Sequence, residues 1–436
     1  MKNMLFTSQY RHFALAKVPF LHCQSALFGA LKVVALLVAV FSVCTDAFGQ
    51  ELKPVKRDFN YFYKTAQYEE DKIPQYVLPD PLIMEDGHRV STAEEWENTR
   101  RPQLVKMLTT YMYGRAPQLA HALPWSVDTL ETKALKGEAI RKVVTLRLSD
   151  NPQAPVLHLQ VYLPRKAQGK VPLFLGLSFC DNSKIATAPE WQLHDILAHG
   201  YGLATFRYTE VCPDKALRAY SEGLMPYYYR KGQVRPDPDE WGSIALWAWC
   251  ASRAMDYLQT DAQIDASKVA LFGHSRLAKT ALWAGANDRR FAMVVLINAG
   301  CCGTALSRRM IGETPTSINH VMPAWFDDNF KQFSDRENCM PFDQHTVISL
   351  IAPHPVYVAS AQDDKWGDPK GEFLGAKGAE GVYALYGEKG IGTDSLPPVN
   401  QPFNKGYIGY HIRSGKHAVL PYDWKQVLSF ADRFFR

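Results

Sequence analysis

The sequence predicts an α/β fold: a mostly parallel central sheet with helices on both faces, a three-layer sandwich. Three observations predict it. From residue 171 to the C-terminus, short apolar runs of strand length alternate with longer helix-patterned stretches, the order that gives parallel strands joined by crossover helices. One of these runs, Val269-Ala270-Leu271-Phe272, passes through Gly273 into a helix-forming stretch from Leu277, so Ser275 falls on a strand–turn–helix corner. Ahead of the first apolar run, residues 144–148 and 157–163 alternate apolar and polar around Asp150-Asn151-Pro152, which reads as an antiparallel pair and its turn.

Taken in order, the chain opens with a targeting segment. Lys2, Arg11 and Lys17 precede the apolar block 33–41, and Ala47-Phe48-Gly49 supplies small residues at a cleavage site. Residues 1–49 are read as a signal peptide cut before Gln50, with an uncleaved anchor helix as the alternative. The mature protein is then secreted or periplasmic. Residues 50–125 are read as an N-terminal wrap on the main domain. They hold one clear helix, begun by a capping box at Ser91-Thr92-Ala93-Glu94 and running through Trp96, Leu104, Met107 and Leu108 towards Tyr113. Residues 126–436 form the main domain. Its strands are expected at 171–178, 202–208, 269–272, 292–297, 356–359 and 407–412, its helices at 192–199, 241–258, after Leu277 and at 424–435. The insertion at about 300–353, rich in Trp, Phe, Asn and Pro, is long for a connection and is expected to help build a site.

Composition narrows the function. Hydrophobic residues at 47% and charged residues at 21% are those of a globular chain. The net charge of +5 comes without a basic run, so no nucleic acid is expected. No segment beyond the leader is apolar enough to span a membrane. Of eight cysteines two lie in the leader, and the other six form no CxxC and no cysteine–histidine spacing of a zinc site. Neither metal nor cofactor is expected, and the protein is read as a monomer.

The antiparallel lead-in pair fits the α/β-hydrolase variant of the plan, in which a triad follows the order serine, acid, histidine. Gly273-His274-Ser275-Arg276-Leu277 lacks the second glycine of G-x-S-x-G, and a helix N-cap is the plainer use of Ser275. The rest of the order is nevertheless present. Asp363 and Asp364 follow the strand at 356–359, and His417 stands on a loop between the last strand and the closing helix. His417 is the candidate general base. Asp364 is favoured over Asp363 as the acid, since adjacent carboxylates at a strand end point to opposite sides; Asp368 lies further out. The backbone N–H of Arg276 would hold an oxyanion, with its guanidinium as a second donor. His274, His345 and His354 are left as structural groups.

The run GHSRLAKTALWAGANDRRFA resembles the nucleophile region of the glucuronoyl esterases, carbohydrate esterase family 15, whose hallmark is G-C-S-R-x-G-K. The likeness extends from about Thr92 to the C-terminus, through Trp325-Phe326, Asp343-Gln344-His345, the stretch from Trp366 to Phe373 and Tyr422-Asp423-Trp424. It is nearest to the bacterial branch. The resemblance implies an α/β-hydrolase that cleaves, without metal, esters between the glucuronate side groups of xylan and lignin alcohols. It makes Ser275 the nucleophile, Arg276 the oxyanion residue and His417 the base, with Lys279 on the sugar hydroxyls and Trp366 facing the uronate. Several departures stand out. Asn298 occupies the place of the fungal acidic glutamate, which moves that role to Asp364. His274 and Ala418 replace the two cysteines of a fungal bridge, and Ala278 replaces the glycine before the lysine. A sugar-binding glutamate of the family falls near Met322. The expected function is a serine carboxylic-ester hydrolase acting on plant cell-wall carbohydrate esters, a 4-O-methyl-glucuronoyl methylesterase. The alternatives are an acetylxylan esterase or other sugar deacetylase, and a non-catalytic carbohydrate-binding protein on the same fold.

Overall fold

The computed structural model describes residues 57–436. The leader 1–49 and the first residues of the wrap lie outside the described residues. Arg57–Arg436 form one compact unit. It begins with a short helix α1 (Phe59–Thr65) and an irregular run to Val90. A longer helix α2 follows over residues 93–113, in which α-helical turns alternate with wider π-turns at Trp96–Arg100 and Thr109–Tyr113. Its cap lies one residue later than the sequence suggested. Thr92 accepts from the Glu95 N–H at 3.1 Å while the Glu95 carboxylate takes the Ser91 N–H at 2.9 Å. Glu95, not Glu94, is the partner residue, and its carboxylate reaches past the cap to Ser91.

Nine strands make one sheet in the order β1-β2-β3-β5-β4-β6-β7-β8-β9. β2 (Ala139–Arg147) and β3 (Val156–Pro164) are the expected antiparallel pair. β1 (Trp125–Lys133), which sequence reading missed, pairs antiparallel at the edge and is exposed along its whole length. With no buried face it has no alternation to read. β3 joins β5 (Gly202–Arg207) antiparallel, and from β5 across the sheet through β4 (Val171–Ser178), β6 (Ile264–His274), β7 (Met293–Ile297), β8 (Val356–Ala361) and β9 (Ile408–Arg413) every pairing is parallel.

Alternate residues of these strands enter two cores. Leu271, Val294, Leu296 and Val358 face one layer, with α2 (Trp96, Leu104), α4 (Ser243–Leu258) and α5 (Arg276–Asn287). Phe272, Val295, Ile297 and Tyr357 face the other, with α3 (Leu193–Ala198) and the C-terminal helix, residues 421–435. The period of two splits each strand between layers, so a central parallel strand is apolar throughout. Between β7 and β8 the insertion folds into short helices, among them α6 (Pro315–Val321) and α7 (Gln344–Ser349). After β8 come α8 (Pro369–Gly378) and α9 (Glu380–Leu385), and the C-terminal helix is α10 (Pro421–Phe435). Among the described residues no helix is long and apolar enough to cross a membrane, and no group of side chains is arranged to hold a metal. All six cysteines there are free thiols.

Candidate active site

Ser275 sits where β6 ends and α5 begins, with φ 59° and ψ −131°. A non-glycine residue at positive φ is strained, and the surroundings hold it there. The Ser275 N–H continues the β6–β7 ladder to the Ile297 carbonyl at 2.9 Å, and its own carbonyl accepts from Ala278 at 2.9 Å. Gly273 makes the corner possible, since a Cβ there would collide with the Leu277 carbonyl and the Ala278 Cα. The missing second glycine costs nothing visible, because Leu277 turns its side chain fully into the core. The Ser275 side chain makes no capping hydrogen bond. An N-cap serine exists to make that bond, so the plainer use of Ser275 falls.

Three parallel strand ends bring the other groups to it. Asp364 follows β8 and is buried, and its Oδ2 lies 2.6 Å from His417 Nδ1. Asp363, its neighbour, also lines the cleft but is exposed and makes no bond to the ring. His417 reaches in from the loop after β9. Ser275, Asp364 and His417 line one cleft of about 610 Å³, together with Arg276, Lys279 and Trp366. All six residues singled out in the sequence therefore meet in a single cavity. Among the described residues the Ser275 hydroxyl makes no hydrogen bond to His417; such contacts often tighten only when substrate is bound. A second cavity of about 620 Å³ lies between the end of α2 and α4 and is lined without a histidine, cysteine or lysine.

The cations are tied down by partners that the sequence did not reveal. The Arg276 guanidinium pairs with Asp214 and lies 5.0 Å from the Trp325 ring. Asp214 in turn accepts from the Trp325 indole at 2.8 Å and the Tyr208 hydroxyl at 2.8 Å. Lys279 is buried, bonded to the Ala299 carbonyl at 2.7 Å and to Glu313 at 3.1 Å. Glu313 lines the cleft and Met322 does not. Glu313 is thus the carboxylate that stands beside Lys279 in the cleft. Asp368, the outlying acid candidate, is bound to Arg309 at 2.7 Å and does not enter the cleft.

Two histidine rings lie side by side here, tilted by 38°. The His274 ring lies 4.8 Å from that of His417, and burial together with that neighbour pushes its pKa down to about 3. His274 is therefore neutral beside the base. Asn298, at positive φ, turns its amide nitrogen to the Ala418 carbonyl and its oxygen to the Ala361 N–H, each at 3.0 Å. Behind the cleft floor Glu372 is buried. It accepts from the Gly300 N–H and the Thr304 hydroxyl, both at 2.9 Å, and from the Ser360 hydroxyl at 2.6 Å.

Comparison with known proteins decides the family. The family model for glucuronyl esterases of fungi matches residues 147–387, more than half of the chain. A carbohydrate esterase from an unknown prokaryotic organism is 42% identical over 397 residues, covering 84% of this chain and 91% of that one. The chain belongs to the glucuronoyl esterase family. A solved glucuronoyl esterase from Solibacter usitatus superimposes with a TM-score of 0.81 at 43% identity, covering 84% of this chain and all of that one. The 4-O-methyl-glucuronoyl methylesterase of Schizophyllum commune is 25% identical over 320 residues, 71% of this chain and 74% of that one. The fold is accordingly the α/β-hydrolase fold, and this glucuronoyl esterase is a carboxylic ester hydrolase.

Proposed function

We propose that the protein hydrolyses glucuronoyl esters of plant cell-wall carbohydrate, such as 4-O-methyl-glucuronoyl methyl esters, through Ser275, His417 and Asp364. The observation that carries this reading is the 2.6 Å bond between His417 Nδ1 and a buried Asp364, in the same cleft as a serine whose side chain caps nothing. With Nδ1–H donated to the carboxylate, His417 Nε2 is left unprotonated and able to accept.

Ser275 Oγ attacks the ester carbonyl carbon and its proton passes to His417 Nε2. The carbonyl oxygen becomes an anion at the N-terminus of α5, where the Arg276 N–H and the helix dipole favour negative charge. Collapse breaks the bond to the alcohol, and His417 gives the leaving oxygen its proton. Water then attacks the acyl-serine, again losing a proton to His417, and the uronic acid departs as Ser275 regains its hydrogen. Lys279 and Glu313 offer a donor and an acceptor for the sugar hydroxyls, and Trp366 a ring face beside them. Residues 1–49 direct export, and the mature chain works as a monomer.

The test is hydrolysis of methyl or benzyl glucuronate beside 4-nitrophenyl acetate, by wild type and Ser275→Ala. Preference for the glucuronate esters, lost in the variant, is expected. Activity on acetate alone would move the substrate to acetylated sugars, and undiminished turnover by the variant would remove Ser275 from the mechanism.

A further inference from the structure

The described chain begins with a strap whose helix α1 buries none of its side chains. It is nonetheless fastened. The Gly312 N–H donates to the Gln67 carbonyl at 2.8 Å, and Glu70 binds both Arg309 and, at 2.6 Å, Lys370. The fastening holds Phe59 and Tyr63, 49% and 52% exposed, in the lining of the same cleft as Ser275. Their ring centroids lie 5.5 and 5.4 Å from that of Trp366 and 5.8 Å from each other. Large rings left half in water at the mouth of a cleft mark a binding surface.

We infer that Phe59, Tyr63 and Trp366 form an outer carbohydrate subsite, which stacks the sugar units that carry the ester-bearing uronate. The inference rests on the glucuronate reading above. Its occupant follows from continuity. The strap is bonded to Gly312, and the adjacent Glu313 both pairs with Lys279 and donates its N–H to the Trp366 carbonyl at 2.9 Å. The rings therefore extend the polar end of the cleft, where the uronate hydroxyls are bound. A sugar chain leaving that end meets ring faces, whose negative quadrupole suits the C–H face of a pyranose. The leaving alcohol belongs beside His417, which must protonate it.

The test compares three substrates: methyl 4-O-methylglucuronate, the same methyl ester carried on xylotriose, and benzyl glucuronate. Wild type is expected to favour the xylotriose-borne ester over the free one by about tenfold in kcat/KM, the scale of one or two ring contacts. Phe59→Ala with Tyr63→Ala should bring that ratio close to one, and Phe59→Trp with Tyr63→Trp should restore it, with thermal melting as the check on folding. A ratio untouched by the alanine pair would overturn the inference. So would a loss confined to the benzyl ester, which would seat the alcohol on the rings. Calorimetric binding of the xylotriose-borne uronic acid to Ser275→Ala, with and without the alanine pair, needs no turnover. A wild type inert to all three esters would thus count against the glucuronate reading, and unweakened calorimetric binding against the subsite.

Discussion

The amide of Asn298 bridges the Ala361 N–H at the end of β8 and the Ala418 carbonyl next to His417, each at 3.0 Å. One uncharged side chain thereby sets the spacing between the strand that delivers Asp364 and the loop that delivers His417. The residue that the family resemblance sets at the place of a fungal acid thus ties the strand end before Asp364 to the loop that carries His417. Asn298→Ala leaves the buried Ala361 N–H without this partner, while the Ala418 carbonyl keeps its bond from Arg413, and it loses a residue type that tolerates the positive φ. A loss of roughly 1–3 kcal/mol of stability is expected, together with a lower kcat, read by thermal melting and steady-state kinetics.

Asp364→Asn should be far more damaging to turnover than to folding. The amide no longer stabilises an imidazolium and can favour the wrong tautomer of His417; in serine proteases the corresponding change lowers kcat by roughly 10⁴-fold. A loss of 10²-fold or more is expected here, roughly on that scale. Asp363→Asn, at an exposed carboxylate, should cost only a small fraction of that. Equal losses in the two variants would show that the buried partner is not the acid.

Lys279→Met removes a buried cation held between the Ala299 carbonyl and Glu313. The expected result is a KM for glucuronate esters raised by about tenfold, the equivalent of one lost charged hydrogen bond, with a smaller change in kcat. Uniform binding lost in ground and transition states has that signature. 4-Nitrophenyl acetate, which has no sugar hydroxyls, should be the less affected substrate.

Glu372 makes stability depend on pH in the direction opposite to the usual carboxylate. Burial pushes its pKa up to about 7, from an ordinary value of 4.5. The folded chain then holds a proton that the unfolded chain has released, so this contribution is full below pH 4.5 and is lost as pH rises through 7. Glu372→Gln, which keeps an acceptor for the Gly300 N–H, should flatten that limb and raise the melting temperature most at pH 7.5 and above. A variant whose melting curve tracks wild type across pH 4.5 to 8 would rule the effect out.

Much of this protein was determined by the sequence alone. Strands β2 to β9, helices α4, α5 and α10, and the order Ser275, Asp364, His417 were all legible, because periodicity and a strand–glycine–helix junction are local properties. The exposed β1 was silent for the same reason, and the Thr92–Glu95 cap was misread by one residue because adjacent Ser91 and Thr92 offer rival registers. Tertiary structure decided what depends on segments far apart in the chain. Only the pairing across 53 residues separates Asp364 from Asp363. Only the folded insertion brings Glu313 to Lys279 across 34 residues. Asp214 meets Arg276 across 62 residues without any motif to announce it. The strap that sets Phe59 and Tyr63 beside Trp366 has no buried face, and so no pattern from which its position could be read. Local sequence specifies which element forms; which side chains share a cleft is settled by how the sheet orders its strands.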